Sequence, residues 1–311
     1  MAQLHEPART ITGPKPAAKP NESILPVVAI LLAVMLWGGS FAAMRVTLKA
    51  LSPWTVMWIR MMTSVIILVP FAGKFRLFGY RSGDWRLLIP MALLQPCFYF
   101  LLESNALRLT TSSQAGVIAA SVPLMVSVGA WLFLNEHLVR RTLVGLGLAM
   151  AGVVVLTLLN NPGGKAANPI LGNLMEMGAM ICAAANLIMV KQLSRRYSPW
   201  MLTALQVVAG AIFFLPGLWF LLQVPASAWT LPVVLSLLFL GGLVTLGAFG
   251  LYNWGMSRIA ASRASVFINL VPVFAVAIGW GLLGESLSLT QCIAATVVVC
   301  GVWFSQRGGR Q

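Results

Sequence analysis

Charged residues are scarce in this sequence, and acidic residues are the scarcest of them. Only 9% of the 311 residues are charged, and seven are aspartate or glutamate against 21 lysines and arginines. About a quarter of the residues of a soluble domain are charged, so a soluble globular protein is excluded. Apolar runs of roughly 18 residues or more recur from Ile24 to Phe304, and each is long enough to cross the membrane as a helix. The sequence therefore predicts an all-α membrane protein.

Residues with catalytic or metal-binding chemistry are few as well. The two histidines are His5, near the N-terminus, and His137, at a helix end, and no HExxH, Walker A or GxSxG motif occurs. The four cysteines lie inside apolar runs without close pairing, which is typical of packing residues rather than of a disulfide or metal site. They are Cys97, Cys182, Cys292 and Cys300. We expect no enzyme activity, no cofactor and no metal.

Hydrophobic residues are abundant, at 59% of the chain, and they fall into ten runs. We number these runs as segments 1 to 10 and predict that all ten cross the membrane. Their bounds are 24–49, 54–72, 86–107, 111–134, 139–159, 169–193, 199–222, 230–256, 261–283 and 288–306. Residues 1–23 are rich in Pro, Ala and Lys without an apolar period, which predicts a disordered cytoplasmic tail.

The basic residues predict the orientation. With both termini in the cytoplasm, sixteen lysines and arginines lie at the inner side and only four at the outer ends of the segments. The net charge of +14 is therefore explained by the lipid bilayer, whose cytoplasmic face is anionic, and no nucleic-acid partner is expected.

The chain repeats itself after half its length. Residues 113–136 follow the same plan as residues 262–285 at an offset of about 149 residues, which pairs Pro123 with Pro272 and Glu136 with Glu285. The sequence Ser-Pro-Trp at 52–54 returns at 198–200, and Gly145 and Gly152 match Ala294 and Gly301. This predicts two five-helix repeats, 24–159 (repeat 1) and 169–306 (repeat 2). Because five is an odd number of crossings, the second repeat enters the membrane from the opposite side and is inverted relative to the first. Inverted repeats suit alternating access.

Four ionisable residues fall inside the segments, where they are costly and indicate function. At 1.5 Å of rise per residue, all four reach the outer third of the membrane: Arg45, Arg60, Glu103 and Glu176. We expect the two acids and two bases to face each other as an outer gate or a proton-coupling site. The alternative is a static ion pair that holds helices together. The repeat positions of Arg60 and Glu103 are Gln206 and Tyr252, so the inner end is polar but uncharged.

Polar and aromatic residues near mid-membrane are the candidate substrate ligands, because polar groups at that depth need a partner or a water-filled cavity. Asn186 holds the repeat position of Ser40, so both repeats place polar groups at the same depth. The candidates for substrate binding are Trp37, Ser40, Gln95, Tyr99, Glu103, Asn186, Tyr252, Asn253 and Asn269. Ordinary hydrogen bonding between helices is the alternative for each residue. Pro123 and Pro272 each remove a helix hydrogen bond and are candidate hinges, with a static kink as the alternative.

Several short motifs together resemble the EamA family of the drug/metabolite transporter superfamily. They are Trp37-Gly-Gly-Ser40, Ile59-Arg60, Asn105-Ala-Leu-Arg108, Pro123 with Leu134-Asn-Glu136-His-Leu, and Gly284-Glu285-Ser-Leu. The resemblance covers residues 24 to 306. It implies a ten-helix transporter of the cell inner membrane that exports amino acids or related metabolites, with a cavity lined by segments 1, 3, 4, 6, 8 and 9.

The sequence thus predicts a secondary active transporter, an exporter of small polar metabolites such as amino acids or related amines, with proton exchange through Glu103 as the coupling hypothesis. Two alternatives stay open. The first is an uncoupled facilitator or channel-like pathway of the same fold. The second is a non-transporting membrane or lipid-handling protein. The expected partners are a small-molecule substrate, the lipid bilayer and protons, and the chain is expected to be a monomer or a homodimer.

Overall fold

The computed structural model of the protein describes residues 24–74, 80–109, 118–137, 139–159, 168–283 and 289–306. In these residues all regular structure is helical, and no strand occurs among them. The predicted tail, Ser113 and Glu285 lie outside the described residues, as does the side chain of Arg45.

The helices of repeat 1 follow the predicted segments, although two segments are interrupted. Their bounds are Leu25–Leu48 in segment 1, Pro53–Leu68 with the 3-10 turn Val69–Lys74 in segment 2, Trp85–Ala92, the π-helical turn Leu93–Phe98 and Tyr99–Leu109 in segment 3, Val122–Leu134 in segment 4, and Arg140–Leu159 in segment 5.

The helices of repeat 2 run in the same order. Their bounds are Pro169–Leu193 in segment 6, Pro199–Phe213 and Gly217–Leu221 in segment 7, Leu231–Leu238, the π-helix Phe239–Ala248 and Phe249–Met256 in segment 8, Ala261–Val266, the 3-10 turn Phe267–Leu270 and Val271–Leu283 in segment 9, and Leu289–Gln306 in segment 10. Six helices in the described residues are long and apolar enough to cross a membrane. The chain is therefore a multi-pass helical membrane protein, and the count of ten crossings stays a prediction.

The repeated Ser-Pro-Trp sequence begins a helix in each repeat. The Ser52 hydroxyl accepts a hydrogen bond of 3.2 Å from the Thr55 backbone N–H, and Pro53 takes the first helical position, where a missing N–H costs nothing. Pro199 opens segment 7 in the same way after Ser198, whose side chain makes no cap bond. A local sequence signal thus fixes where segments 2 and 7 start.

Segments 5 and 10 pack against each other through the glycines that the repeat matched. A Cβ atom at Gly145 would come within 2.6 Å of the Gly301 carbonyl oxygen, and one at Gly152 within 3.0 Å of the Ala294 carbonyl oxygen. The two helices therefore touch at their backbones and run antiparallel. Because Gly145 corresponds to Ala294 and Gly152 to Gly301, each contact is the repeat image of the other, as a two-fold axis between the repeats requires.

The other inter-repeat contacts follow the same rule. Segment 1 packs on segment 9, and its counterpart segment 6 packs on segment 4, while segments 2 and 7 pack on each other. The main apolar cluster joins residues of both repeats, among them Ile30, Met91, Leu202 and Tyr252. The two repeats therefore share one core, and the polar groups between them lie at its centre.

Candidate functional site

A cavity of about 320 Å³ lies between the two repeats. Segments 1, 3, 4, 6, 8 and 9 contribute to its wall, as do Met57 and Arg60 of segment 2 and Val153 of segment 5. The wall reaches Leu48, at the last turn of segment 1, whose side chain is 42% exposed. Tyr252 and Asn269, which also line the cavity, are 1% and 2% exposed. The wall thus includes an exposed residue at the predicted outer end of segment 1 and buried polar residues of segments 8 and 9.

Eight of the nine candidate ligands line this cavity. They are Trp37, Ser40, Gln95, Tyr99, Glu103, Tyr252, Asn253 and Asn269. These residues come from both repeats and from four segments, so the fold gathers into one wall side chains that are far apart in the sequence. Their part in substrate binding stays a prediction.

Asn186 is the candidate ligand that does not line this cavity, and its part in substrate binding stays a prediction. Its side chain is 1% exposed, and its amide donates a hydrogen bond of 2.7 Å to the Met91 carbonyl oxygen. Segment 3 leaves the α-helix after Ala92, one residue beyond Met91, and the Met91 carbonyl oxygen accepts this hydrogen bond from a neighbouring helix. Asn186 thereby holds segment 6 against segment 3.

The interruption of segment 3 positions the polar side chains of the cavity. Pro96 has no N–H to donate, and Gln95 has extended backbone angles of φ −141° and ψ 121°. Two further side chains bond the carbonyls of this turn: the Cys97 thiol donates to the Ala92 oxygen at 3.6 Å, and the Gln206 amide to the Gln95 oxygen at 3.0 Å. Irregular backbone is tolerated at membrane depth where such partners satisfy it. The helix that resumes at Tyr99 carries Tyr99 and Glu103 on one face.

Tyr99, Glu103 and Arg60 form the polar part of the wall. The Tyr99 hydroxyl donates a hydrogen bond of 2.6 Å to Glu103 Oε1. Arg60 is 4% exposed; its Nε donates to Thr245 Oγ1 at 3.0 Å, and its guanidinium carbon lies 4.9 Å from the centre of the Phe100 ring. The charges of Arg60 and Glu103 interact. A cation and a carboxylate therefore face the same cavity while each is held by a neutral partner.

Glu176 lies behind this wall. It is 2% exposed, does not line the cavity, and interacts electrostatically with Glu103. Among the described residues, its Oε2 has no hydrogen-bond partner. The structure thus brings three of the four predicted charges together, and the side chain of the fourth, Arg45, is outside the described part of the chain. Their gating or coupling roles stay predictions.

A cluster of aromatic rings forms another, less polar part of the wall. The centre of the Trp37 ring lies 5.0 Å from that of Tyr252 and 5.4 Å from that of Phe249. Asn253 also lines the cavity, but its amide donates to Thr203 Oγ1 at 2.9 Å and to Gln206 Oε1 at 3.2 Å. A cavity lined by both aromatic rings and a carboxylate suits a small amphipathic solute.

The two candidate hinge prolines lie at interruptions of their helices. Pro123 is the second residue of Val122–Leu134, and Pro272 is the second residue of Val271–Leu283, after the 3-10 turn Phe267–Leu270. At this position a proline costs no helix hydrogen bond. The matched helices are therefore irregular at matched places, whereas hinge motion at these prolines stays a prediction.

Sequence reasoning missed the interruption of segment 3 and the residues that complete it. Pro90 and Pro96, both inside the apolar run, were the available signal, because a proline inside a helix removes a backbone donor. Phe249 and Gln206 were not among the candidate ligands, and no local pattern distinguishes them from other apolar or polar residues in segments 7 and 8. Their roles depend on which helices become neighbours.

Comparison with known proteins gives consistent matches along the whole chain. A family model described as the EamA-like transporter family matches residues 24–158 and 170–306. The chain is 24% identical over 284 residues to the uncharacterized transporter YoaV of Bacillus subtilis (strain 168), which covers 90% of this chain and 96% of that protein. It is 27% identical over 299 residues to a probable amino-acid metabolite efflux pump of Salmonella typhimurium (strain LT2), which covers 90% of this chain and 94% of that protein.

One solved crystal structure is similar with a TM-score of 0.76. The similarity covers 91% of this chain and 96% of that chain at 21% sequence identity. At this identity the match shows a shared fold alone.

Proposed function

The chain belongs to the EamA-like transporter family, and from this premise we propose that it is a secondary transporter that exports a small polar metabolite by alternating access. The observation that carries the proposal is the cavity between the repeats, into which both repeats direct polar side chains and in which Glu103 faces Arg60. The proposed substrates are amino acids or related amines, and the proposed location is the cell inner membrane with both termini in the cytoplasm.

Two features support alternating access. The antiparallel, repeat-related contacts between Gly145 and Gly301 and between Gly152 and Ala294 are those expected of inverted repeats. Among the residues of the cavity wall, Leu48 at the predicted outer end of segment 1 is exposed, whereas Tyr252 and Asn269 are buried. In inverted repeats, exchange of the two repeat conformations opens the opposite end.

Proton coupling through Glu103 is the proposed energy source. Its carboxylate lies in the cavity wall, accepts a hydrogen bond from Tyr99, and has a cation and a second carboxylate within electrostatic range. Such a group exchanges a proton for a substrate amine when the cavity changes sides. Export and the amino-acid class are supported by the name of the Salmonella relative.

The test uses purified protein reconstituted into liposomes. A thermal-shift screen of amino acids, polyamines and nucleosides at two pH values first identifies a ligand, because a ligand of the folded state raises the melting temperature. Accumulation of that ligand is then measured with and without an imposed pH difference. Wild-type protein is expected to accumulate it against its gradient only when the pH difference is present.

The decisive variant is Glu103→Gln, and Ser104→Ala is its matched control: it is the next residue of segment 3, does not line the cavity, and its hydroxyl bonds the Leu101 carbonyl oxygen of the same helix. We expect Glu103→Gln to bind and equilibrate the ligand but to lose at least roughly tenfold of the pH-driven accumulation, whereas Ser104→Ala keeps it. Unchanged pH dependence in Glu103→Gln would contradict the coupling role. Wild-type flux that never runs against the ligand gradient would instead identify a facilitator. The absence of any ligand flux would identify a protein that does not transport.

A further inference from the structure

At the end of the bundle opposite Leu48, polar contacts join the segments through side chains that do not line the cavity. At this end segments 4, 6 and 8 finish and segment 9 begins, and we call it the inner end. Charged side chains link segments at this end: Asp84 and Arg196 pair with each other, whereas Glu136 and Lys191 bond the backbone of other segments. None of these four side chains lines the cavity.

Glu136 joins the end of segment 4 in repeat 1 to the start of segment 9 in repeat 2. Its Oε1 accepts a hydrogen bond of 2.8 Å from the Ala261 backbone N–H. Its Oε2 accepts two more from Ser262, at 3.1 Å from the backbone N–H and at 2.8 Å from the hydroxyl. The carboxylate therefore holds the two segments together by three charge-assisted hydrogen bonds, the stronger class of hydrogen bond.

The backbone before Glu136 directs it to this place. Asn135 ends the helix in a left-handed conformation with φ 56°, one that asparagine tolerates better than most residues. The Glu136 N–H then donates back to the Ala130 carbonyl oxygen at 3.2 Å. This turn carries the chain away from the axis of segment 4 and points Glu136 at segment 9.

Lys191 makes the second closure at the inner end. Its ammonium group donates to the carbonyl oxygens of Met256 and Ile259, at 2.8 Å and 2.5 Å, where segment 8 ends. It joins segment 6 to segment 8, and its charge interacts with that of Glu136. Cations suit the carbonyl end of a helix. Segments 4, 6, 8 and 9, which all line the cavity, are thus tied together on its inner side.

We propose that Glu136, Ser262 and Lys191 form a latch that holds the inner end closed while the cavity is open at the outer end, and that the latch must release before the cavity opens inward. The inference rests on the proposed alternating access and extends it by naming the contacts that choose between the two states. Any movement that separates segment 4 from segment 9 breaks all three hydrogen bonds of Glu136. Loss of the latch therefore shifts the population toward the inward-open state.

The test measures access to the cavity from each side and needs no substrate. In a variant with the four cysteines replaced, Ile268→Cys places a single thiol in the cavity wall. A membrane-impermeant maleimide is then applied to either face of oriented membrane vesicles. With the latch intact, the thiol is expected to react faster from the outer side.

Glu136→Gln is expected to raise the labelling rate from the inner side by more than roughly tenfold, because the neutral amide weakens all three charge-assisted hydrogen bonds. Ser262→Ala removes one of the three and is expected to raise the rate roughly tenfold. Ser265→Ala is the matched control: it lies one turn further along segment 9, and its hydroxyl bonds the Ser262 carbonyl within the same helix. Labelling in this control is expected to stay unchanged.

Two outcomes would overturn the latch. One is inner-side labelling that equals the control in both variants while the melting temperature falls, which would identify Glu136 as a static helix cap. The other is an equal rise in the Ser265→Ala control, which would indicate general loosening. A protein that shifts its labelling but transports no solute would instead refute the proposed function and leave the latch intact.

Discussion

Segments 3 and 8 hold the same place in their repeats, and both depart from the α-helix at the same depth, by different means. Segment 3 is interrupted at Leu93–Phe98 by Pro96, whereas segment 8 widens into a π-helix over the glycine-containing stretch Phe239–Ala248. Thr245 takes the repeat position of Pro96. An irregular turn at this depth is therefore a property of the architecture, and each repeat reaches it with its own residues.

The groups that cross between the repeats at this turn differ in charge. In repeat 1 the guanidinium of Arg60 donates to Thr245 of segment 8, and in repeat 2 the amide of Gln206, at the matching position, donates to the Gln95 carbonyl of segment 3. The same contact is thus made once by a cation and once by a neutral amide. Packing at this contact is satisfied by a neutral amide in repeat 2, whereas the cation of repeat 1 also lines the cavity with Glu103.

Exchanging these two residues gives the largest expected effect. Gln206→Arg would place a cation among Gln95, Thr203 and Asn253, where no carboxylate is in contact. We expect a loss of about 3–5 kcal/mol of stability, the scale for an uncompensated buried charge. The double variant Arg60→Gln with Glu103→Gln removes the cation together with its carboxylate and should lose only about 1 kcal/mol, since an amide can still donate to Thr245. Denaturant or thermal unfolding in detergent measures both, and equal losses would contradict the asymmetry.

At the contact between segments 5 and 10 the two repeats contribute matching close approaches. A Cβ atom at Gly145 or at Gly301 would come within 2.6 Å or 2.5 Å of backbone atoms of the facing helix. Gly145→Val and Gly301→Val are therefore expected to cost similar amounts, about 1–3 kcal/mol each. Gly147→Val is the control, because nothing lies within 4 Å of its Cβ position. A control as destabilised as the other two would show that helix propensity, and not packing, decides the result.

The smallest expected effect concerns Asp84, at the start of segment 3. The matching position at the start of segment 8 is Thr230, which carries no charge. The Asp84 carboxylate accepts hydrogen bonds from the Tyr197 hydroxyl, the Arg81 backbone N–H and Arg196. These contacts, that of Tyr197 first, lower the pKa of Asp84 from 3.8 to about 2. Because the folded-state pKa is lowered, the stabilisation is present above about pH 4 and is lost as the pH falls toward 2.

Asp84→Asn should therefore lower the melting temperature slightly at pH 7, and the difference from wild type should vanish near pH 2. The effect is small because the ion pair with Arg196 is partly exposed, with side-chain exposures of 14% and 37%. Melting curves over this pH range measure it. A difference that persists at pH 2 would show that shape rather than charge is what Asp84 contributes.

The sequence predicted the family and the membrane class because both depend on features that are periodic or repeated. Apolar runs, the matched prolines and the Trp37-Gly-Gly-Ser40 motif are local, and membership of the EamA family is confirmed by the match over both halves. The helix bounds agree within a few residues where the chain is described. Long apolar helices that must satisfy their own backbone leave few alternatives.

The predicted site was less complete, for a physical reason. Repeat position placed Asn186 with Ser40 at the right depth, but depth does not say which way a side chain faces. Ser40 bonds its own helix at Trp37 and lines the cavity, whereas Asn186 turns to the Met91 carbonyl. The Met91 carbonyl oxygen accepts from the Asn186 amide beside the interruption of segment 3. The orientation of Asn186 therefore depends on the neighbouring helix and not on the sequence around Asn186.

The glycine contact between segments 5 and 10 has a further consequence, for the origin of such a chain. A helix that packs against a copy of itself related by a two-fold rotation supplies both surfaces of a dimer interface. A lone five-helix ancestor carrying Gly145 and Gly152 could pair with a second molecule before any gene fusion. Joining the two copies into one polypeptide would then preserve an existing association. Each repeat would afterwards change separately, and Arg60 and Gln206 are matching positions that now differ.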